Sequence, residues 1–119
     1  MKILIVDDNP RVRQVIRTIV GDIAQYVYEC EDGNKALEAY EEFRPDWVLM
    51  DIGMKDLDGF SATEQIKRAH PEARVLIVTD YSDVLFKKSA MDAGAYALVP
   101  KENMFEIAQV ISRFQQTAS

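Results

Sequence analysis

At 119 residues, with 48% hydrophobic and 29% charged content, the chain has the makeup of one globular domain and not of a disordered segment. Its 20 acidic against 14 basic residues give a net charge of −6, and no basic stripe interleaves with aromatics, which argues against direct nucleic-acid binding by this segment. No apolar run approaches the roughly 20 residues that span a bilayer. The N-terminus lacks a signal-peptide pattern, and the single cysteine, Cys30, has no internal partner, so no membrane association and a cytoplasmic, reducing location are expected.

Apolar runs and helical periods alternate along the chain. Lys2 to Val6, KILIV, has no polar alternation and reads as a strand buried on both faces. Pro10 suits a first helical turn, and Val12, Ile16, Ile19, Val20 and Ile23 follow at helical spacing up to or just past Gly21. YVYEC, ending at Cys30, is a second strand, with Cys30 a small, partly buried apolar residue. GNKALEAYEEFR carries Leu37, Tyr40 and Phe43 on one side and stops before Pro45, as a helix does.

WVLMD, Trp47 to Asp51, is the third strand. Ser61 to Glu64, SATE, has a capping-box spelling at or just after the start of a third helix that ends near His70 and Pro71. RVLIVT, Arg74 to Thr79, is the most β-like run. Ser82 is a candidate cap for a fourth helix reaching Ala93 and Gly94, AYALV is a fifth strand, and Met104, Ile107, Ala108 and Ile111 line a last helix. Five such units predict a doubly wound α/β fold, a five-stranded parallel sheet covered by helices on both sides.

In such a sheet the carboxyl ends of the strands line the ligand crevice. Asp7 and Asp8 follow the first strand, Asp51 closes the third, Thr79 closes the fourth and Lys101 follows the fifth. Three carboxylates brought together need a compensating cation. They resemble a hard-oxygen seat for Mg²⁺, and a lysine and a threonine hydroxyl on the same rim suit a phosphoryl group. Taken singly, each acid has a plainer reading as a turn former or helix cap, and Asp8 or Asn9 is placed to cap the first helix.

The set IVDDNP, VLMDIGMKDLDG, IVT and VPK resembles the receiver domain of bacterial two-component response regulators. The intervals are specific: 43 residues from Asp8 to Asp51, 28 to Thr79 and 22 to Lys101. The resemblance covers essentially the whole chain, read as a single receiver domain over 1–119, and implies a flavodoxin-like sheet of strand order 2-1-3-4-5. By the family pattern Asp51 is the phosphoacceptor, taking a phosphoryl group from a sensor histidine kinase. Asp8, Asp51 and the Gly53 backbone carbonyl would ligate Mg²⁺ directly, Asp7 would act through a water, and Lys101 and Thr79 would bind phosphoryl oxygens. The resemblance further implies a switching face on the fourth helix, fifth strand and fifth helix that meets an output domain, an effector protein or a second copy. It implies no enzyme beyond self-phosphorylation and self-dephosphorylation.

Four positions depart from the commonest pattern. Asp80 follows the threonine where a small residue is usual. Facing a phosphoryl group at ~6 Å it would cost roughly 1–3 kcal/mol, about ten- to a hundredfold in rate, whereas turned outward it only starts a loop. Leu98 stands where an aromatic switch residue is usual, with Tyr96 read as lying on the same side of the strand one pleat away. Pro100 precedes Lys101 where many relatives have proline after it, a spelling similar to receivers that precede helix-turn-helix output domains, and Lys55 replaces a frequent proline.

Asp80 and Leu98 favour an alternative, a pseudo-receiver acting as a phosphorylation-independent interaction module. A phosphohydrolase using Asp51 would want a second acid two residues on, where Gly53 stands. His70 reads as a surface residue, and Leu85, Phe86, Phe105 and Phe114 as core filling with some share in a partner surface.

Overall fold

Five apolar runs pair into one parallel sheet in the computed structural model of the chain, which describes residues 1–54, 57–80 and 84–118, with side chains through 115. The strands are β1 (Lys2–Val6), β2 (Tyr26–Cys30), β3 (Trp47–Met50), β4 (Val75–Thr79) and β5 (Ala97–Pro100), in the order β2-β1-β3-β4-β5. The helices are α1 (Pro10–Val20), α2 (Ala36–Phe43), α3 (Gly59–Ala69), α4 (Val84–Asp92) and α5 (Glu106–Ala118). Short 3₁₀ turns at Gly33–Lys35 and Lys101–Asn103 precede α2 and α5.

The run KILIV is buried on both faces because helices cover both. Leu4 and Val6 pack towards Ala36, Tyr40, Ala62, Ile66 and Ala90 of α2, α3 and α4. Ile3 and Ile5 pack towards Ile16, Val20, Ile107 and Ile111 of α1 and α5. Each fully buried aliphatic side chain contributes about 1.5–3 kcal/mol of apolar burial. A polar replacement at Ile5, which is wholly inaccessible, would remove that and strand a polar group in the sheet.

Local signals set the helix ends. Asn9 caps α1 by accepting the Arg11 N–H at 2.9 Å, with Pro10 behind it. Arg44 ends α2 in the left-handed region at φ 49°, its N–H returned to the Tyr40 carbonyl at 2.8 Å. The cap of α3 is Asp58, which accepts the Ser61 N–H at 2.9 Å, so the SATE spelling lies one turn inside the helix. Gly59 requires the lack of a side chain: a Cβ there would sit 2.1 Å from the Asp51 carbonyl oxygen, so α3 starts directly against the end of β3.

Two sequence expectations need correction. β5 begins at Ala97, two residues later than AYALV suggests, and Tyr96 is not on the Leu98 side. The Tyr96 ring stands edge-on to Trp47 and Phe114 at centroid distances of 5.2 and 5.5 Å, on the α1/α5 face, whereas Leu98 packs on the other face. The two-residue alternation fails because Tyr96 precedes the strand, and contact with Trp47 sets its direction. His70 is also no free surface side chain. Its ring is 13% exposed, lies between Glu41 at 3.0 Å and Glu72 at 3.6 Å, and contacts Arg44 and Tyr40. Lys55 and Ser82 lie outside the described residues.

Candidate functional site

The register of the sheet brings the acids together. Val6 lies opposite Met50, so Asp7 and Asp51 leave adjacent strands at the same level. Asp51 N–H donates to the Val6 carbonyl at 2.9 Å and Asp7 N–H to the Cys30 carbonyl at 3.0 Å, which extends the ladder just beyond the strands. Thr79 lies opposite Pro100, which sets Lys101 one residue past the rim.

One carboxylate oxygen from each of Asp7, Asp8 and Asp51 fits within a 4.8 Å span. Asp7 and Asp51 are buried, while Asp8 opens to solvent. Lys101 Nζ lies 3.2 Å from Asp51 Oδ1 and 3.4 Å from Asp7 Oδ2. Gly53 is beside the same carboxylate, since a Cβ there would lie 3.9 Å from both Asp51 oxygens. Thr79 is buried at the end of β4. Asp80 is exposed, as the outward alternative requires, yet its charge still acts on Lys101.

Burial pushes the Asp7 carboxyl above the usual carboxylate range, and Asp51 adds to that push. The Asn9 N–H, 2.8 Å from Asp7 Oδ1, opposes it, as does Lys101. Burial also works against the Lys101 charge, but Asp51 and Asp7 outweigh it and hold the ammonium above its ordinary value. One ammonium therefore faces two buried carboxylates, with the exposed Asp8 beside them. Asp7 Oδ2 is buried without a well-formed hydrogen bond, its neighbour of opposite charge being the Lys101 ammonium at 3.4 Å. An oxygen so placed, in an acid set of this span, fits a divalent cation.

Two features escaped the reading of the sequence. The Asn9 backbone N–H orients the Asp7 carboxylate, and Arg13 binds the Asp7 carbonyl. The signal for the second was available: a helical side chain leans towards the N-terminus of its helix, so an arginine in the second turn of α1 reaches the loop before it.

Residues 3–113 match the family model described as the response regulator receiver domain. The chain belongs to that family. This receiver is 34% identical to the chemotaxis protein CheY of Bacillus subtilis, over 98% of the chain and 96% of the relative. It is also 34% identical to the response regulator GacA of Pseudomonas syringae, over 93% of the chain but 53% of GacA, so it spans about half the length of that regulator. Among solved structures, a LuxR-family two-component response regulator from Aurantimonas superposes with a TM-score of 0.87 at 33% identity, covering 95% of the receiver and 83% of that chain. The CheX-CheY-BeF3-Mg complex from Borrelia burgdorferi superposes with a TM-score of 0.85 at 25% identity, over 96% of the receiver and 89% of that chain.

The strand order 2-1-3-4-5 and the five helices agree with these neighbours, and the acidic pocket fits phosphoryl acceptance. All five polar residues of the expected set stand at one rim, which leaves Asp80 and Leu98 as the only departures behind a phosphorylation-independent reading. Leu98 is half-buried against the core and fills space as an aliphatic residue does. No helix among the described residues is long and apolar enough to cross a membrane.

Proposed function

We propose that this receiver accepts a phosphoryl group on Asp51 from the phosphohistidine of a sensor kinase. The observation that carries the proposal is the meeting of Asp7, Asp8 and Asp51 within 4.8 Å beside Lys101. A carboxylate oxygen of Asp51 forms the new bond to phosphorus as the bond from phosphorus to the histidine nitrogen breaks, and the imidazole leaves with that electron pair. Water later cleaves the acyl phosphate, releasing phosphate and restoring the carboxylate.

Asp8, Asp51 and the Gly53 carbonyl are the residues that would hold Mg²⁺, with Asp7 acting through a water. When bound, magnesium supplies positive charge to the transferring oxygens, in chemistry that depends mostly on positioning and charge. Lys101, whose ammonium lies 3.2 Å from Asp51 Oδ1, would bind one phosphoryl oxygen, and the Thr79 hydroxyl would donate to another. A carboxylate nucleophile has no proton to lose on attack, so the step calls for no separate base. The chain turns over no other substrate and so is a self-modifying switch and not a general enzyme.

The output runs through α4, β5 and α5. Val84, Leu85 and Phe105 expose 82%, 74% and 59% of their surface there, an apolar area suited to an output domain, an effector or a second copy. The net charge of −6 assigns any DNA contact to another domain. A cytoplasmic location follows from a cytoplasmic phosphodonor.

The test is intact-mass measurement after incubation with phosphoramidate and Mg²⁺. A single phosphoryl adduct, absent in Asp51→Asn and absent with EDTA, supports the proposal. Equal labelling of Asp51→Asn overturns it.

A further inference from the structure

Asp7 is held from three directions, and one holder lies outside the residue types that carry the chemistry. Its N–H donates to Cys30, its Oδ1 accepts from Asn9, and its carbonyl accepts from Arg13 Nη1 at 2.7 Å. The same guanidinium uses Nε to bond Glu29 Oε1 at 2.9 Å, from α1 across to β2. Arg13 is only 15% exposed, so its charge is spent on these two acceptors and not on solvent. Arg17, one turn on, also grips Glu29, at 2.7 Å, and the Val27 carbonyl, but makes no contact with Asp7.

The carbonyl that Arg13 holds belongs to the peptide joining Asp7 to Asp8. A peptide unit is planar, so fixing its oxygen fixes the direction in which the Asp8 Cα departs. Asp8 is exposed, and among the described residues no side chain or N–H donates to its carboxylate. Its aim is therefore inherited from the backbone. Arg13 is not among the main charges acting on the Asp7 carboxyl, so its influence is geometric.

We propose that Arg13 is a positioning residue of the acid loop, one that aims the Asp8 carboxylate by anchoring the Asp7 carbonyl, with Glu29 orienting the guanidinium. The inference rests on the reading of Asp7, Asp8 and Asp51 as a magnesium seat. Partners of this indirect kind commonly govern metal affinity by ten- to a hundredfold. Lysine cannot substitute, because a single ammonium lacks the planar fork that serves a carbonyl and a carboxylate together.

Two measurements on the full chain test this. In Mg²⁺ titration by calorimetry, Arg13→Ala and Arg13→Lys are expected to weaken binding about tenfold, while Arg17→Ala, which removes comparable contacts to Glu29, changes it less than about twofold. Nitrogen-proton spectra of the metal-free protein are expected to show the Asp8 and Asn9 amide signals broadened or doubled in Arg13→Ala and single in Arg17→Ala. The spectra are read without metal, so they test the anchor even if wild-type protein binds no Mg²⁺, an outcome that would instead overturn the magnesium seat. Unchanged Asp8 and Asn9 signals in Arg13→Ala, restored affinity in Arg13→Lys, or equal losses in Arg13→Ala and Arg17→Ala would overturn the positioning role.

Discussion

The Lys101 ammonium sits 3.2 Å from Asp51 Oδ1, joining the residue after β5 to the residue after β3 across the intervening strand β4. In the metal-free protein that lysine is the nearest counter-charge for two buried carboxylates. It therefore serves the fold as well as the chemistry.

Lys101→Ala is expected to destabilise the metal-free protein by roughly 1–3 kcal/mol, the range for losing a charged partner of buried acceptors. It also removes a cation that competes with Mg²⁺ for the same oxygens. Thermal melts with and without Mg²⁺ check both effects: the variant melts lower without the ion and gains more from it than wild type. An Mg²⁺-induced shift no larger than that of wild type would contradict the competition.

Asp7→Asn acts in the opposite direction. Asparagine keeps an acceptor for the Asn9 N–H and removes a charge that burial and Asp51 both disfavour. The metal-free fold should gain roughly 1 kcal/mol at neutral pH. Urea denaturation measures that gain, and the same variant should lose most of the stabilisation that Mg²⁺ gives wild type through binding. Here function costs stability.

Glu29 sets a pH dependence of known sign. Burial raises its carboxyl, but hydrogen bonds from Arg17 and Arg13 outweigh that and hold it below the usual range. Its contribution is thus fully present above the unfolded value, about 4.3, and is lost as pH falls through the lower folded value. Glu29→Gln should flatten that part of the acid limb in denaturant midpoints measured between neutral pH and the acid transition. The pair is partly exposed, so added salt should shrink the difference between the two proteins.

Asp80→Ala should speed labelling by phosphoramidate less than about tenfold, because the side chain is exposed and only its longer-range charge acts on the site. The gain should shrink in high salt. Equal rates at low salt would mean that the exposed Asp80 charge does not reach the incoming group.

The bounds of β1 and β2 and the convergence of Asp7, Asp8, Asp51, Thr79 and Lys101 were legible in the sequence. Continuous apolar runs mark buried parallel strands, and the fold brings their ends to one rim. Contacts between distant segments were not legible. Tyr96 turns towards Trp47 and Phe114 because of a docking that no local period encodes. His70 meets Glu41 across 29 residues of sequence, and Arg13 meets Glu29 across 16. SATE lies at the start of α3, as read, while the cap itself is Asp58, set where Gly59 lets the helix begin against the Asp51 carbonyl.

The most direct measurement is fluorine NMR of the protein with beryllofluoride and Mg²⁺, beside Asp51→Asn. Beryllofluoride mimics a phosphoryl group on a carboxylate and needs no kinase, so it reports on the pocket alone. A pocket that accepts a phosphoryl group on Asp51 gives a bound fluorine signal that requires both Mg²⁺ and Asp51. Failure of the folded wild-type protein to give that signal in excess Mg²⁺, or an equal signal from Asp51→Asn, would contradict it.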